Sequence, residues 1–387
     1  MPRPIRQSET DACPGALRLH AAADGPLARV RLPGGMLTGR QLAELSAIAT
    51  EWGDGALELT SRANLQLRAL TSANPATLAA RLHAAGLLPS ETHEVVRNIA
   101  APPLAPENLR SLVLALDNAL CADPALAALP GRFLFAIGQV PLAPDLAAVP
   151  AADGFAIRFA GHDEGLRVPA GRVVEALLAG AHAFLAERGE AWRLAEITDG
   201  SARIAGRVRE ELGSAALPDK SEISEAPCAA LVGTVEQADG RVAVGAIVPL
   251  GRLTGVQAKV LMDAPRLVLT TARGVVVPDL APEAAAAWLG RLSAAGLPVE
   301  ADSRWSGVTA CAGRPGCAKS LADVRADALA AARHSDGLPV HWVGCARGCG
   351  SPAGAHVRVE ATGDGYVVAG EPVDGDLGVA ISAARRA

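Results

Sequence analysis

Pro33-Gly34-Gly35-Met36-Leu37-Thr38-Gly39-Arg40-Gln41 returns later in the chain as Pro249-Leu250-Gly251-Arg252-Leu253-Thr254-Gly255-Val256-Gln257. Both copies read P-x-G-x-L-T-G-x-Q. Upstream, Cys13 precedes Asp24-Gly25 by the same interval that separates Cys228 from Asp239-Gly240. Downstream, Leu57-Glu58-Leu59-Thr60 matches Leu267-Val268-Leu269-Thr270, and Arg81–Leu87 matches Arg291–Leu297. Several matches in one order are the mark of an internal repeat. Its period is about 215 residues.

Each copy predicts strand, turn, strand, helix, strand, helix. Ala28–Leu32 alternates as a strand, and Thr38 reads as the N-cap of a helix over 39–51. Leu57–Leu70 reads as a β run, followed by a helix over 75–86 that Gly86 closes. The same signals recur over 242–297. Two such units can pair their sheets around a pseudo-two-fold axis.

Between the copies, strands are expected near Phe133–Ile137 and Phe155–Phe159, with a helix over 171–188. After the second copy, a helix over 318–333 and a β region over 355–369 are expected. The division that follows is 11–89, 90–220, 221–299 and 300–387, with the polar stretch Leu217–Glu225 as linker. The fold class is α+β, the half-repeats alternating with two α/β segments.

Near the C-terminus stand Cys311, Cys317, Cys345 and Cys349, spaced C-x5-C and C-x3-C. Four thiolates are the ligand set of a 4Fe–4S cluster. Tetrahedral zinc is the alternative, although zinc knuckles commonly use the tighter C-x2-C spacing. Disulfides are a second alternative, suited to small secreted domains. The N-terminus shows no apolar export segment, so a reducing cytoplasm is the expected compartment. Cys13 and Cys228 occupy equivalent repeat positions and read as structural, and Cys121 reads as a small core residue.

A net charge of −5 offers no basic footprint for nucleic acid, and no apolar run is long enough to span a membrane. Only Lys220, Lys259 and Lys319 are lysine among the 36 basic residues. Compositional bias accounts for the count. Guanidinium forks nevertheless suit a ligand that bears many carboxylates.

Together these motifs resemble the siroheme-dependent sulfite and nitrite reductases. That family has two ferredoxin-like half-repeats alternating with two α/β domains, and binds its cluster through C-x5-C and C-x3-C. Its substrate arginine lies in L-T-[ST]-R-x-x-x-Q, similar to Leu59-Thr60-Ser61-Arg62-Ala63-Asn64-Leu65-Gln66 here. Its R-N-[VI] motif matches Arg97-Asn98-Ile99. Its L-P-x-K-F-K motif is similar to Leu129-Pro130-Gly131-Arg132-Phe133-Leu134, so one lysine becomes Arg132 and the other Leu134. The resemblance implies Arg62, Arg97 and Arg132 as substrate-binding residues, and Asn64, Arg68 and Arg273 are further candidates for a ligand that bears many carboxylates.

Two departures point to the cobalamin-pathway branch of that superfamily. Leu134 can neither protonate nor pair with an oxyanion. The reductases' G-C-P-N-x-C becomes Gly344-Cys345-Ala346-Arg347-Gly348-Cys349, with Pro352 following, and Cys13-Pro14-Gly15 fits the same branch. It implies an O2-dependent hydroxylation of precorrin-3A at C20 with γ-lactone formation. It also implies a 4Fe–4S cluster and a mononuclear non-haem iron, with siroheme only under the reductase alternative. An electron carrier is a third, non-catalytic reading.

Catalytic residues and iron ligands are not legible. His93-Glu94 and His162-Asp163-Glu164 supply the residue types of a facial triad, without a readable arrangement. The absence of G-x-G-x-x-G after a strand implies an external donor, NADH acting through a reductase or a ferredoxin.

Overall fold

In the computed structural model, which describes residues 13–213, 217–218, 231–333, 336–352 and 354–387, the two repeats build matching five-stranded sheets. The first runs His20–Ala22, Gly25–Val30, Leu65–Leu67, Ala56–Leu59, Arg252–Thr254. The second runs Gly233–Glu236, Val242–Ile247, Gly274–Leu280, Leu267–Leu269, Met36–Leu37. The last strand of each sheet therefore comes from the other copy. Arg252 pairs with Glu58 and Leu253 with Leu57 in this exchange.

The repeated nine residues explain the exchange. Pro33–Gly35 and Pro249–Gly251 are single 3-10 turns whose central residues are left-handed, Gly34 at φ 63° and Leu250 at φ 54°. Each turn sends the chain into a short strand and then a helix, Gly39–Trp52 or Gly255–Leu261. Thr38 with Gln41 and Thr254 with Gln257 form reciprocal capping boxes at those helix starts, satisfying backbone N–H groups that would otherwise lack partners.

The β run expected over 57–70 is two strands, not one. A tight turn divides it: the Thr60 N–H donates to the Asn64 carbonyl at 2.9 Å, and Ala63 turns left-handed at φ 56°. The second copy has the same turn, from Thr270 to Gly274, with Arg273 in the left-handed position at φ 61°. The copies thus superpose Arg273 on Ala63 and Ala272 on Arg62. Arg273 is not the repeat counterpart of Arg62.

By packing, the chain forms two units. One comprises Met1–Arg18, Val30–Met36 and Ala79–Ala229; the other comprises Leu19–Arg29, Leu37–Leu78 and Ala230–Ala387. In the first, a six-stranded mixed sheet runs Leu217–Pro218, His162–Val168, Gly154–Phe159, Leu146–Ala151, Phe135–Ile137, Ile99–Ala100. Helices Glu107–Ala122, Val173–Glu187 and Gly200–Leu212 bury their apolar stripes in a core that includes Phe133, Phe135, Phe159 and Phe184. The second unit holds the two repeat sheets except Val30 and Met36, together with the cysteine-bearing segment.

That segment is built on Val308–Ala310, Val340–Val343 and Val357–Ala361, which are parallel, extended by antiparallel Tyr366–Val368 and Glu371–Pro372. The helix expected over 318–333 starts only at Val324, where Asp323 accepts from the Ala326 N–H. Residues 318–323 stay in a loop because their N–H groups serve the cysteine motifs. Ser320 donates to the Cys317 carbonyl at 3.0 Å and Leu321 to the Gly344 carbonyl at 2.8 Å. Cys228 and most of the 217–225 linker lie outside the described residues.

Candidate metal centre

Both cysteine pairs leave the carboxyl ends of neighbouring parallel strands, the edge at which α/β sheets bind ligands. Cys311 follows Ala310 directly and extends the ladder, its N–H donating to the Trp342 carbonyl at 2.8 Å. Cys345 opens the turn after Val340–Val343. The Gly344 N–H donates to Cys311 Sγ at 3.3 Å, joining the two pairs. Position 344 has no room for a side chain, since a Cβ would lie 1.8 Å from Ser320 Oγ.

All four thiols are free, with Cys311, Cys317 and Cys345 half-buried and Cys349 open on one side. Burial raises the Cys349 pKa, the charges of Cys311, Cys345 and Cys317 raise it further, and Arg347 opposes them. The four sulfurs are therefore close enough to sense one another. Among the described residues, no three His, Cys, Asp or Glu stand close enough to hold a single metal ion. A 4Fe–4S cube binds each thiolate to a different iron, so its ligands stand wider apart. The donor set fits that group.

A basic residue donates to a backbone carbonyl in each cysteine loop. Arg325 reaches the Cys311 carbonyl at 3.2 Å, and Arg68 reaches Gly316 at 2.8 Å. Arg358 reaches Ala346 at 2.8 Å, and Arg273 reaches Gly350 at 3.4 Å. The Cys349 carbonyl accepts from His341 Nε2 at 3.1 Å. Burial first, then nearby Arg273, His356 and Arg358, push the His341 pKa down to about 4. The ring is neutral, so Nε2–H donates while Nδ1 accepts from the Thr309 hydroxyl at 2.8 Å.

Glu58 is the shared counter-charge. It is 5 % exposed and meets Arg325, Arg252 at 3.6 Å and Arg68 at 3.7 Å. Arg325, Arg358, His341 and Glu58 were not among the residues expected from the sequence. His341 alone carried a signal there, standing one strand residue before Trp342 and four before Cys345.

The six expected substrate residues separate. Arg68 is forked on Asp24 at 2.9 and 2.8 Å besides its bond to Gly316, so its guanidinium belongs to the cysteine loop. Arg97 is buried and forked on Asp117 at 2.8 and 2.6 Å, with the Leu87 carbonyl at 3.3 Å. That is a core ion pair, not a fork held open for a ligand. Asn64 is buried in the turn, Arg62 is half-buried beside it, and exposed Arg132 stacks 4.9 Å from the Trp192 ring. Leu134 is 2 % exposed, its N–H donating to Asp145 Oδ2 at 2.8 Å.

The histidine–carboxylate pairs are also committed. His93 bonds Ser90, Thr92 and the Asp123 carbonyl, while Glu94 accepts from the N–H groups of Ala16, Leu17 and Arg18. Asp163 grips Arg167 through both oxygens at 2.8 Å. Cys121, expected in the core, lies half-buried in the last turn of helix Glu107–Ala122.

Two five-stranded repeat sheets that exchange strands, followed by a sheet bearing C-x5-C and C-x3-C, make the chain similar to nitrite and sulfite reductases and their relatives. Residues 20–85 match the nitrite/sulfite reductase ferredoxin-like half domain. A precorrin-3B synthase from Sinorhizobium sp is 27 % identical over 402 residues, covering 92 % of this chain and 81 % of that protein. The ferredoxin–nitrite reductase of Synechococcus elongatus is 28 % identical over 411 residues, covering 89 % and 78 %. The structure of the NirA protein of Mycobacterium tuberculosis shares the fold, with a TM-score of 0.73 and 21 % identity over 89 % of this chain and 73 % of that one. No helix among the described residues is long and apolar enough to cross a membrane.

Proposed function

We propose that this chain is an O2-dependent oxidoreductase that hydroxylates precorrin-3A at C20 and closes a γ-lactone to ring A, the reaction of a precorrin-3B synthase. Leu134 carries the reading. Where the reductases place a second lysine beside the oxyanion, this chain buries an alkyl side chain. Leucine supplies neither a proton nor a positive charge, and reduction of nitrite or sulfite consumes many protons. A tetrapyrrole substrate makes no such demand at that position.

Cys311, Cys317, Cys345 and Cys349 would hold the 4Fe–4S cluster, which supplies one-electron transfer. A mononuclear non-haem iron belongs to the proposal without assigned ligands. Arg62 and Arg132 are the guanidiniums offered for substrate carboxylates, by charge-assisted hydrogen bonds. One oxygen atom of O2 enters the product; the other leaves as water, with two electrons and two protons from an external donor. That donor is NADH working through a reductase or a ferredoxin, and the reaction belongs in the cytoplasm. The proposed domains are 11–89, 90–220, 221–299 and 300–387.

The test is anaerobic purification followed by addition of precorrin-3A, a reduced ferredoxin and isotopically labelled O2. One labelled oxygen in a lactone product is expected, with a broad iron–sulfur absorption and no siroheme bands. Cys345→Ser should remove that absorption. The second reading, a siroheme-dependent reductase, rests on the match to the ferredoxin–nitrite reductase. Siroheme bands with nitrite or sulfite consumption, and no oxygen incorporation, would establish it instead.

A further inference from the structure

The charges around the cysteine loops do not cancel evenly. Arg68 is matched by Asp24, Arg358 by Glu360 and Arg252 by Asp54. Arg325 takes Glu58. Among the described residues no carboxylate forms an ion pair with Arg273. Its guanidinium lies instead on the loop that carries Cys349, bonded to the Gly350 carbonyl.

The backbone is built to put it there. Arg273 is left-handed at φ 61°, a conformation that residues other than glycine adopt at a cost. Its stem crosses Gly251, where a Cβ would meet Arg273 Cδ at 2.8 Å. Its head lies over Gly350, where a Cβ would meet the guanidinium at 3.1 Å. Both glycines have positive φ, 68° and 83°. A strained turn and two side-chain-free positions thus make a channel for one cation. The first repeat has alanine, Ala63, at the same turn position, so this arginine belongs to the second copy alone.

We propose that Arg273 tunes the reduction potential of the cluster, its positive charge, held on the Cys349 loop and in no ion pair among the described residues, favouring the reduced form. This rests on the reading that the four cysteines hold a 4Fe–4S cluster. Adding an electron makes such a cluster more negative, and potentials of iron–sulfur centres follow net charge and hydrogen bonding around them. A half-buried guanidinium is screened less than a solvated one and remains protonated. Glu58, which draws on Arg325, Arg252 and Arg68, acts in the opposite sense.

The experiment is a spectroscopic redox titration of the reconstituted full chain without substrate, alongside iron and sulfide content. Arg273→Met should shift the midpoint negative by at least a tenfold change in the oxidised-to-reduced ratio, about 59 mV for one electron. Arg273→Lys should stay near the parent, and Glu58→Gln should move the midpoint positive. A midpoint for Arg273→Met equal to the parent, with full iron content, would overturn the proposal. So would a negative shift in Glu58→Gln. If Arg273→Met loses its iron, Arg273→Gln carries the decision: it keeps a donor for the Gly350 carbonyl without the charge, so a negative midpoint shift supports the proposal and a parent midpoint overturns it. A parent protein that takes up no cluster would overturn the cysteine reading itself, and the proposal with it.

Discussion

Arg97 and Arg132 carry the same side chain into opposite surroundings. Arg97 is buried with both fork nitrogens on Asp117, so Arg97→Met leaves a carboxylate uncompensated in the core. Breaking such a pair costs about 3–5 kcal/mol. The expected result is a large loss in urea unfolding of the apo protein. Arg132 is exposed over Trp192, a contact worth about 0.5–1 kcal/mol at such sites. Arg132→Ala should hardly change unfolding but should raise KM for a polycarboxylate tetrapyrrole by about ten- to a hundredfold, one lost charge-assisted bond being worth about 1.5–3 kcal/mol. Equal stability losses in the two variants would show that the roles are misassigned. The sequence could not separate them, because motif position reveals the residue type but not its partner: Asp117 lies twenty residues from Arg97, one helix away. The cysteine spacing is local and so readable, whereas the strands Val308–Ala310 and Val340–Val343 that present both pairs were not expected from the sequence.

Elements with strong local signals formed as expected, and those decided by distant partners did not. The capping-box helix Gly39–Trp52 was legible because Thr38, Gln41 and the apolar periodicity lie within one stretch. The loop over 318–323 was not, since an alanine-rich segment with helical propensity is held by the Cys317 and Gly344 carbonyls. The same override governs the hairpin Gly154–Phe159 to His162–Val168. There Asp163, a residue type suited to an iron ligand, is instead fixed on Arg167 beside a register shift. The hydrogen bond from Arg167 holds the Asp163 pKa below its usual range, with burial opposing and the Gly165 N–H assisting. A depressed folded pKa gives stability that is present above the unfolded value near 3.9 and lost as pH falls through the folded one. Asp163→Asn should therefore be less stable than the parent at pH 5, by up to about 1 kcal/mol for this partly exposed pair. The gap should narrow as pH falls below the unfolded value. A pH-independent gap in paired urea titrations would contradict the assignment.

Within the second unit, the two repeats are alike in outline and unequal where they touch. Helices Gly39–Trp52 and Gly255–Leu261 each begin with the glycine that follows a capping threonine. At Gly39 the backbone of the other copy comes so close that a Cβ would lie 2.0 Å from the Met262 carbonyl oxygen and 2.7 Å from that of Ala264. The Gly39 N–H itself donates to the Ala264 carbonyl at 3.1 Å. At Gly255 the nearest atom to a Cβ is the Gly55 carbonyl oxygen, at 3.8 Å, which is ordinary contact. The repeated motif looked symmetric in sequence because both positions are glycine, yet only one glycine is required by packing. Gly39→Ala must push two backbone segments apart, and overpacking of this kind costs about 1–3 kcal/mol or more. Gly255→Ala meets no obstacle and gains helix propensity, so it should be neutral or stabilising by less than about 1 kcal/mol. Because the strands Arg252–Thr254 and Met36–Leu37 lie in each other's sheets, the loss at Gly39 should appear in the unfolding of both repeats together. Hydrogen exchange on Gly39→Ala should show amides of Leu57–Leu59 and Leu267–Leu269 losing protection in parallel. Loss confined to the first repeat would mean that the exchanged strands do not couple the two sheets.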